Sequence, residues 1–330
     1  MKKALITGGA GFIGYHLSVK LISKGFHVDI LDNFTRAVKD QELLDLMNNQ
    51  NVNVLNLDLL DEKNAHRIEK NYDYIYHFAA IIGVDYVLKS PFDVIIKNFL
   101  LLNNALTIAK SQSSLKKFIF ASTSEVYAGT LKYYGLKFPT IESTPLTITN
   151  MDEPRTSYML SKIYGEAACL HSRLPIMIIR PHNFYGPRMG MSHVIPQLMK
   201  KVINTDNGKI DVYSTKHKRT FCYIEDAVEI IFELTKTDKS VGGIFNIGND
   251  DEEITMWNLA KKIIELIDRD VSINSLPNTP GSPKRRLPSI SKIATITNYK
   301  KKYSLNKGLK KTYRWYSTIF NSEDSNISAI

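Results

Sequence analysis

The segment Thr7–Gly14, with the sequence TGGAGFIG, restricts the fold more than any other part of the chain. It follows a short β-branched run, Lys3–Thr7, and precedes a helical pattern over Phe12–Lys24. Glycine suits such a turn because it tolerates positive φ and because a Cβ would keep the backbone away from a pyrophosphate. The free N–H groups of the helix N-terminus then face the anion. The order of strand, turn and helix therefore predicts a dinucleotide-binding βαβ unit. The expected contacts are Gly8, Gly11, Phe12, Ile13 and Gly14.

The end of the second predicted strand indicates which dinucleotide binds. His27–Leu31 reads as a strand, and Asp32 follows it. A carboxylate at this point accepts hydrogen bonds from the ribose 2′-OH of NAD and repels the 2′-phosphate of NADP. We therefore predict NAD, although the nearby Arg36 leaves NADP open. The other expected cofactor contacts are Asn33, Asp58, Leu59, Phe78, Ala79, Ala80, Asn98, Tyr158 and Lys162.

The first half of the chain alternates strand and helix patterns. This alternation predicts βαβ units and a doubly wound parallel Rossmann-type sheet. Residues 1–180 are expected to form the NAD-binding domain, which a return segment at about 221–250 rejoins. A smaller α/β lobe for the substrate is expected at 181–220 and 251–320, followed by a polar tail at 321–330. The predicted strands are Lys3–Thr7, His27–Leu31, Val52–Leu57, Tyr74–Phe78, Phe118–Ala121, Ile176–Ile179 and Ile244–Ile247; the main predicted helices are Phe12–Lys24, Glu42–Asn48, Asp61–Lys70, Phe92–Lys110, Ser157–Ser172, Ile195–Asn204, Thr255–Ile267 and Leu305–Tyr316.

Tyr158 and Lys162 are one helical turn apart, which places them on the same helix face. An isolated tyrosine has a pKa near 10, and a nearby ammonium favours the phenolate, so the pair suits a general base for a hydroxyl proton. Thr123 and Glu125 end a preceding parallel strand, where ligands bind in such sheets. Thr123 is expected to hydrogen-bond the reacting oxygen, and Glu125 to act as a second acid or base.

Charge and cysteine content restrict the other classes of function. The net charge is +10, but residues 284–314 hold eleven Lys or Arg and no Asp or Glu, and the remaining chain is nearly neutral. Without stacking aromatics or a nucleic-acid module, this segment favours a solvated face and a contact to a phosphorylated ligand over nucleic acid. We expect no metal site, since the two cysteines lack metal spacing. No export signal or long apolar segment is apparent, so we expect a cytoplasmic protein without a membrane span.

Several motifs in one order resemble those of extended short-chain dehydrogenases that act on nucleotide-sugars. The resemblance extends from Lys3 to about Tyr316, and the motifs are TGGAGFIG, Ser122–Tyr127, Tyr158-x-x-x-Lys162, Arg180–Arg188 and Arg219–Ala227. It implies hydride transfer from a sugar carbon, usually C4, to NAD, with Thr123, Tyr158 and Lys162 as catalytic residues. It also implies a homodimer held by a four-helix bundle from the helices at Phe92–Lys110 and Ser157–Ser172. The substrate contacts that it implies are Ser124, Asn183, Arg188, Arg219, and Arg285 or Arg286.

The sequence leaves the net reaction open. Several enzymes begin with C4 oxidation, and we expect an epimerase or a net dehydrogenase that serves capsule or lipopolysaccharide sugar biosynthesis. The Thr123–Glu125 run also resembles UDP-glucuronate decarboxylases and GDP-mannose 4,6-dehydratases, so both lyases remain alternatives. The insert Thr130–Arg155 departs from the common 4-epimerase pattern. An NAD-sensing scaffold is the non-enzymatic alternative.

Overall fold

The computed structural model describes residues 1–279 and 281–321. Most of the predicted polar tail at 321–330 lies outside the described residues. The strands are β1 (Lys3–Thr7), β2 (His27–Asp32), β3 (Val52–Asn56), β4 (Tyr74–His77), β5 (Lys117–Ala121), β6 (Ile176–Pro181), β7 (Phe184–Tyr185), β8 (Lys209–Tyr213), β9 (Lys218–Arg219), β10 (Cys222–Tyr223), β11 (Ile244–Ile247), β12 (Ile254–Thr255), β13 (Ser272–Leu276) and β14 (Arg285–Arg286).

Seven strands form one parallel sheet in the order β11-β6-β5-β4-β1-β2-β3. The strand order reverses at β1, and a crevice forms at the carboxyl end of the strands next to such a reversal. This doubly wound sheet confirms the predicted fold. It brings the turn after β1 and the chain segment after β5 to the same edge of the sheet.

Helices cover both faces of this sheet, as a parallel sheet requires. On one face α5 and α7 cover a core that includes Leu102, Ala105 and Phe120, and on the other α1 and α9 cover Ile6, Leu17 and Ile230. The helices are α1 (Phe12–Ile22), α2 (Gln41–Met47), α3 (Glu62–Ala65), α4 (Val84–Lys89), α5 (Pro91–Lys110), α6 (Ala128–Tyr134), α7 (Pro154–Leu170), α8 (Val194–Asn204), α9 (Ile224–Lys236), α10 (Met256–Ile267), α11 (Ser291–Ile296) and α12 (Leu305–Asn321), with 3₁₀ turns at Ser124–Tyr127 and Asp238–Ser240.

Three small sheets carry much of the second half of the chain. They pair β7 with β10, β8 with β13, and β9 with both β12 and β14. One sequence expectation, the return of residues 221–250 to the main sheet, is corrected in part. The strand preceding α9 pairs with β7, so β11 alone of the return segment joins the main sheet. The region Pro277–Pro288 contains β14, which pairs with β9.

Helix α5 is, among the described residues, long and apolar enough to cross a membrane by length and composition. Half of its most apolar window is buried inside the protein, where it packs on α7. Such burial is typical of the core helix of a globular protein. Residues of α5 that face outward include Phe92, Ile96 and Phe99.

Candidate active site

A cavity of about 250 Å³ lies at the carboxyl edge of the sheet, beside the glycine turn. Gly8 has a φ of +70°, and a Cβ there would lie 2.7 Å from the Ala79 nitrogen. A Cβ on Gly14 would collide with the Gly8 carbonyl, whereas a Cβ on Gly11 has only that carbonyl nearby, at 3.2 Å. Side chains at these positions would fill the turn, and their absence leaves the backbone open to the phosphates of a dinucleotide. The predicted cofactor residues that line the cavity are Gly8, Gly11, Phe12, Ile13, Gly14, Asp32, Asn33, Asp58, Leu59, Phe78, Ala79 and Ala80.

Asp32 connects the end of β2 to the glycine turn. Its carboxylate accepts the Ala10 N–H at 3.0 Å and the Phe34 N–H at 2.8 Å. Burial raises the pKa of this carboxyl group, and the backbone N–H groups oppose that shift. Asn33 donates to Asp58 at 3.3 Å, so both side chains stand beside Asp32 on the cavity wall. This arrangement fits an adenosine ribose with free hydroxyls.

Asn98 lies apart from this cavity. Its side chain accepts the Ile81 N–H at 2.7 Å and donates to Ser161 Oγ at 3.1 Å. The buried amide therefore connects the segment after β4 to α7. Its position supports the cavity wall and the helix that carries Tyr158.

Charged and polar groups from three segments of the chain lie near Tyr158. Burial raises the pKa of the Tyr158 phenol, and the Glu125 carboxylate raises it further, whereas a hydrogen bond from Thr123 and the charge of Arg36 lower it. Sequence reasoning assigned that lowering to Lys162. In the structure Lys162 Nζ lies 5.9 Å from the Tyr158 ring centroid and donates to the Ala121 carbonyl at 2.8 Å. The pKa of Tyr158 is raised overall, and Thr123 and Arg36 partly offset the rise.

The Lys162 ammonium is itself perturbed. Burial lowers the pKa of Lys162 to about 8, while the nearby Glu166 carboxylate opposes the shift. The amine still carries its proton for the most part at neutral pH. A nicotinamide in the adjacent cavity would place a further positive charge near Tyr158, which also favours the phenolate.

Two arginines, the buried Arg219 and the half-buried Arg286, lie side by side on the small three-stranded sheet. Arg219 and Arg286 are register partners in parallel strands β9 and β14, which places them next to each other. Burial and the neighbouring Arg286 lower the pKa of Arg219 to about 9. Arg286 Nη1 donates to the side-chain oxygen Oδ1 of Asn183 at 3.4 Å. Two adjacent cations beside a side-chain amide, one buried and one half-buried, form a place where a diphosphate or carboxylate can bind.

Comparisons with known proteins agree with this geometry. Residues 4–248 match the model of the NAD dependent epimerase/dehydratase family. The chain belongs to that family. It is 33% identical to a UDP-N-acetyl-alpha-D-glucosaminuronate decarboxylase of Bacillus cytotoxicus, over 97% of this chain and 99% of the relative. The prediction of an extended short-chain dehydrogenase is confirmed, and the protein is an NAD-dependent enzyme of that class rather than a scaffold.

Solved structures of the epimerase/dehydratase family superpose on nearly the whole chain. One is a UDP-glucuronic acid 4-epimerase of Bacillus cereus in complex with UDP-glucuronic acid and NAD, with 27% identity, a TM-score of 0.79 and coverage of 96% of this chain and 99% of that chain. Another is DesIV, a dTDP-glucose 4,6-dehydratase of Streptomyces venezuelae with NAD and TYD bound, with 25% identity, a TM-score of 0.82 and coverage of 96% and 97%. The predicted cofactor, NAD, is confirmed.

The structure separates two arginines that the sequence could not distinguish. Arg285 donates twice to the Glu253 carboxylate, at 2.7 and 3.1 Å, and stacks over the Phe138 ring. Arg286 instead faces Asn183 and lies near Glu125. Arg286 is therefore the one available to a ligand of this epimerase/dehydratase family enzyme, and Arg285 fastens β14.

Arg188 is placed differently from the expectation of a substrate contact. Its buried guanidinium forms an ion pair with Asp40, donates to the Val38 carbonyl, and stacks over the Tyr15 ring at 4.1 Å. These contacts occupy the guanidinium and hold the segment after β2 against the loop that follows β7. Arg188 thus closes one end of the NAD cavity instead of joining Arg219 and Arg286.

Sequence reasoning missed Arg155 and His193, and it considered Arg36 only for NADP. Arg155 donates to the Glu125 carboxylate at 3.2 Å from the first turn of α7. Arg36 and His193 line the NAD cavity. The position of Arg155, three residues before Tyr158 and so on the same helix face, was the signal that could have identified it.

The remaining sequence predictions can be located as well. Ser124 is buried within the 3₁₀ turn and lines a pocket of about 20 Å³ together with Arg286 and His182. The basic segment 284–314 forms ion pairs with acidic residues of α9 and of the loop before β12. Its pairs are Arg285–Glu253, Lys301–Asp251, Lys301–Glu252, Lys302–Glu229 and Lys311–Glu225. Four of the eleven cationic side chains of this segment are therefore paired with carboxylates in these bridges.

Proposed function

We propose that the protein oxidises C4 of a UDP-linked sugar acid with Tyr158 as the base, and that the resulting ketone loses CO₂ from C6. The sequence favoured an epimerase or a net dehydrogenase, with the decarboxylase as an alternative. The observation that carries the change is the group of Arg155, Arg286 and Glu125 beside Tyr158. The proposal is supported by the match, over nearly the whole length of both chains, to a UDP-N-acetyl-alpha-D-glucosaminuronate decarboxylase.

The residues have separate tasks in this scheme. Arg219 and Asn183 hold the diphosphate, while Arg155 and Arg286 supply two cations for the sugar carboxylate. The Tyr158 phenolate takes the proton of the C4 hydroxyl, and Thr123 donates a hydrogen bond to the reacting oxygen. Bound NAD accepts the C4 hydride and returns it after CO₂ has left, so that the cofactor is unchanged overall.

The carboxylate loss follows from the position of the ketone. A C4 ketone is β to the C6 carboxylate, so the C5–C6 bond breaks with its electron pair moving toward the ketone oxygen. C5 then takes a proton from solvent, the one that the net reaction consumes. The Tyr158 phenol, protonated in the first step, returns its proton to the C4 oxygen when the hydride returns to C4. Glu125 orients Arg155 at 3.2 Å and so holds one of the two cations in place.

The proposal is tested with the purified protein and NAD. UDP-glucuronate, UDP-N-acetylglucosaminuronate, UDP-glucose, dTDP-glucose and GDP-mannose are incubated separately, and products are identified by mass spectrometry and NMR. We expect a uronate to lose the mass of CO₂. Tyr158→Phe should abolish turnover and still bind NAD, since the phenol contributes little to the cradle. Turnover of UDP-glucose alone, or full activity of Tyr158→Phe, contradicts the proposal.

A C4 epimerase of the same sugar acids is the second candidate. It is favoured by the likeness to the UDP-glucuronic acid 4-epimerase of Bacillus cereus. An epimerase gives a product of unchanged mass with an inverted C4, which the same NMR measurement distinguishes. A role in capsule or lipopolysaccharide sugar biosynthesis stays a prediction, as do the cytoplasmic location and the domain boundaries.

We further propose that the enzyme is a homodimer through α5 and α7. These helices pack on each other and leave an apolar outer face, on which Phe92 is 73% exposed and Phe99 contacts Tyr164 at 5.0 Å between ring centroids. Pairing this face with its copy forms the predicted four-helix bundle and buries those rings. Light scattering after gel filtration should give twice the chain mass, and Phe99→Asp should give a monomer.

A further inference from the structure

A buried ion pair lies next to the segment Thr123–Tyr127, called the catalytic turn below because it carries Thr123 and Glu125. The proposed reaction does not use this ion pair. Arg180 in β6 donates to both oxygens of the Glu166 carboxylate, from Nε at 2.8 Å and from Nη2 at 2.6 Å. Ser122 Oγ donates to the same carboxylate at 2.5 Å. All three residues are at most 4% exposed. Ser122 directly precedes Thr123, so this pair anchors the start of the catalytic turn.

The same guanidinium also anchors the end of that turn. Arg180 Nη1 donates to the Tyr127 hydroxyl at 2.6 Å, and Tyr127 in turn donates to Asn246 Oδ1 at 2.9 Å. Thr123 and Glu125 therefore lie on a short segment whose two ends are both tied to Arg180. The side chains that bound the segment are buried, and hydrogen bonds of this kind leave little freedom for displacement.

The network continues to the strand that carries Arg286. Arg180 Nη1 also donates to the Glu142 carbonyl at 3.0 Å, and the Glu142 carboxylate accepts the Asn246 N–H at 2.9 Å. Thr140 accepts from the Asn246 side chain at 3.0 Å and pairs its backbone with Leu287 and Ser289 at 2.8 Å. Leu287 follows Arg286 in the chain. The two halves of the site are thus joined by one set of hydrogen bonds.

A buried ion pair adds little net stability, because desolvation of the two charges offsets their attraction. The surrounding sheet is apolar and does not need one. We propose that Arg180 and Tyr127 are positioning residues, which hold the Thr123–Glu125 turn at a fixed distance from Tyr158 and from the Arg286 strand. This inference rests on the proposed function, in which Tyr158 is the base.

The ionisation of Tyr158 reports that position. The groups that face its phenol are Glu125, Arg36, the hydrogen-bonding Thr123 and, on its own helix, Lys162. The Thr123 hydrogen bond favours the phenolate, and the Glu125 charge on the same turn opposes it. A hydrogen bond weakens with distance more steeply than a Coulomb interaction, so a small drift of the turn loses the hydrogen bond first and raises the pH at which the phenolate forms. A loss of packing alone changes stability without moving that pH.

The test compares Tyr127→Phe with Tyr76→Phe in the full chain. Both changes remove one buried hydroxyl, and the Tyr76 hydroxyl contacts Thr235 at 3.1 Å, away from the site. The phenolate absorbance of the NAD-bound protein is titrated with pH, and the matching protein with Tyr158→Phe is subtracted. The kcat and KM for UDP-glucuronate and the affinity for NAD are measured in parallel.

We expect Tyr127→Phe to shift the Tyr158 ionisation and the acid limb of kcat upward by about one pH unit. We also expect kcat to fall about tenfold at neutral pH, with NAD affinity within about twofold of wild type. Tyr76→Phe should change neither. A Tyr127→Phe protein with an unshifted ionisation overturns the inference, whether or not its kcat falls.

If Tyr127→Phe does not fold, variants of Glu142 test the same inference. Glu142→Ala removes the acceptor for the Asn246 N–H, whereas Glu142→Gln retains an acceptor oxygen. Glu142→Ala should shift the Tyr158 ionisation, and Glu142→Gln should restore it. If the wild-type difference titration shows no Tyr158 phenolate below about pH 10, the base assignment itself fails. If it does show one and the Glu142 variants leave it unmoved, only the positioning role fails.

Discussion

Gly14 and Gly11 of the phosphate cradle, each replaced by alanine in turn, should have different effects. One change should lower the stability of the fold, and the other should weaken NAD binding. A Cβ on Gly14 would collide with the Gly8 carbonyl and the Gly9 backbone, which cannot move aside as a side chain can. Overpacking of this kind costs up to about 3 kcal/mol, and the better helix propensity of alanine returns about 1 kcal/mol. Gly14→Ala should therefore lose about 2 kcal/mol of unfolding free energy and about 3 °C in Tm.

Gly11→Ala is the matched control. Gly11 has φ −75° and ψ 175°, which any residue adopts, and its Cβ would have only the Gly8 carbonyl nearby, at 3.2 Å. Stability without NAD should change by less than about 1 kcal/mol, the cost of replacing glycine at a helix N-cap. The methyl group would instead stand where the pyrophosphate approaches, so NAD should bind about tenfold more weakly.

Thermal unfolding with and without NAD measures both effects. At an NAD concentration one hundred times the wild-type Kd, bound NAD stabilises the wild type by about 2.7 kcal/mol and Gly11→Ala by about half as much. Calorimetric titration gives the affinities directly. The reasoning is refuted if Gly11→Ala binds NAD like the wild type, or if apo Gly14→Ala is as stable as apo Gly11→Ala.

Three further outcomes are expected. Asp32→Ala should weaken NAD relative to NADP, measured by titrating both, and an unchanged preference removes the carboxylate from cofactor selection. Arg219→Ala should weaken UDP binding, measured by calorimetry, by tenfold or more. Arg285→Ala should leave UDP binding nearly unchanged and only loosen β14. Equal losses of affinity in the two variants would contradict the role of Arg219 as the diphosphate contact. Burial lowers the pKa of His16 to about 4 and of His182 to about 3, below the unfolded value near 6.5. The unfolded chain therefore binds more protons than the folded chain below pH 6.5. The free energy of unfolding should be highest above that pH and should fall toward pH 4. Urea midpoints that do not change with pH would contradict this prediction.

The sequence predicted the main sheet because long alternating patterns leave little choice of fold. Each of its strands was expected within a residue or two, and the glycine turn located the cofactor edge. The two-residue strands, such as β9 and β14, are too short for any periodicity to show. Their pairing, which brings Arg219 beside Arg286, depends on tertiary contacts.

The roles of individual arginines depended on partners distant in sequence. Arg188 pairs with Asp40, 148 residues earlier, and Arg285 pairs with Glu253, 32 residues earlier. A sequence motif shows that an arginine is present and does not show which carboxylate it meets. The sequence predicted a lowered pKa for Tyr158, whereas burial and the Glu125 carboxylate, which comes from another segment, raise it.

Strand β11 follows its sheet neighbour β6 by more than sixty residues in the chain, which affects folding during synthesis. Strand β6 is completed long before β11, its hydrogen-bonding neighbour, leaves the ribosome. Throughout that interval β6 presents unpaired backbone groups, which favour association between nascent chains. Truncations that end before Ile244 should therefore accumulate as aggregates, whereas truncations just after Asn321 should remain in the supernatant.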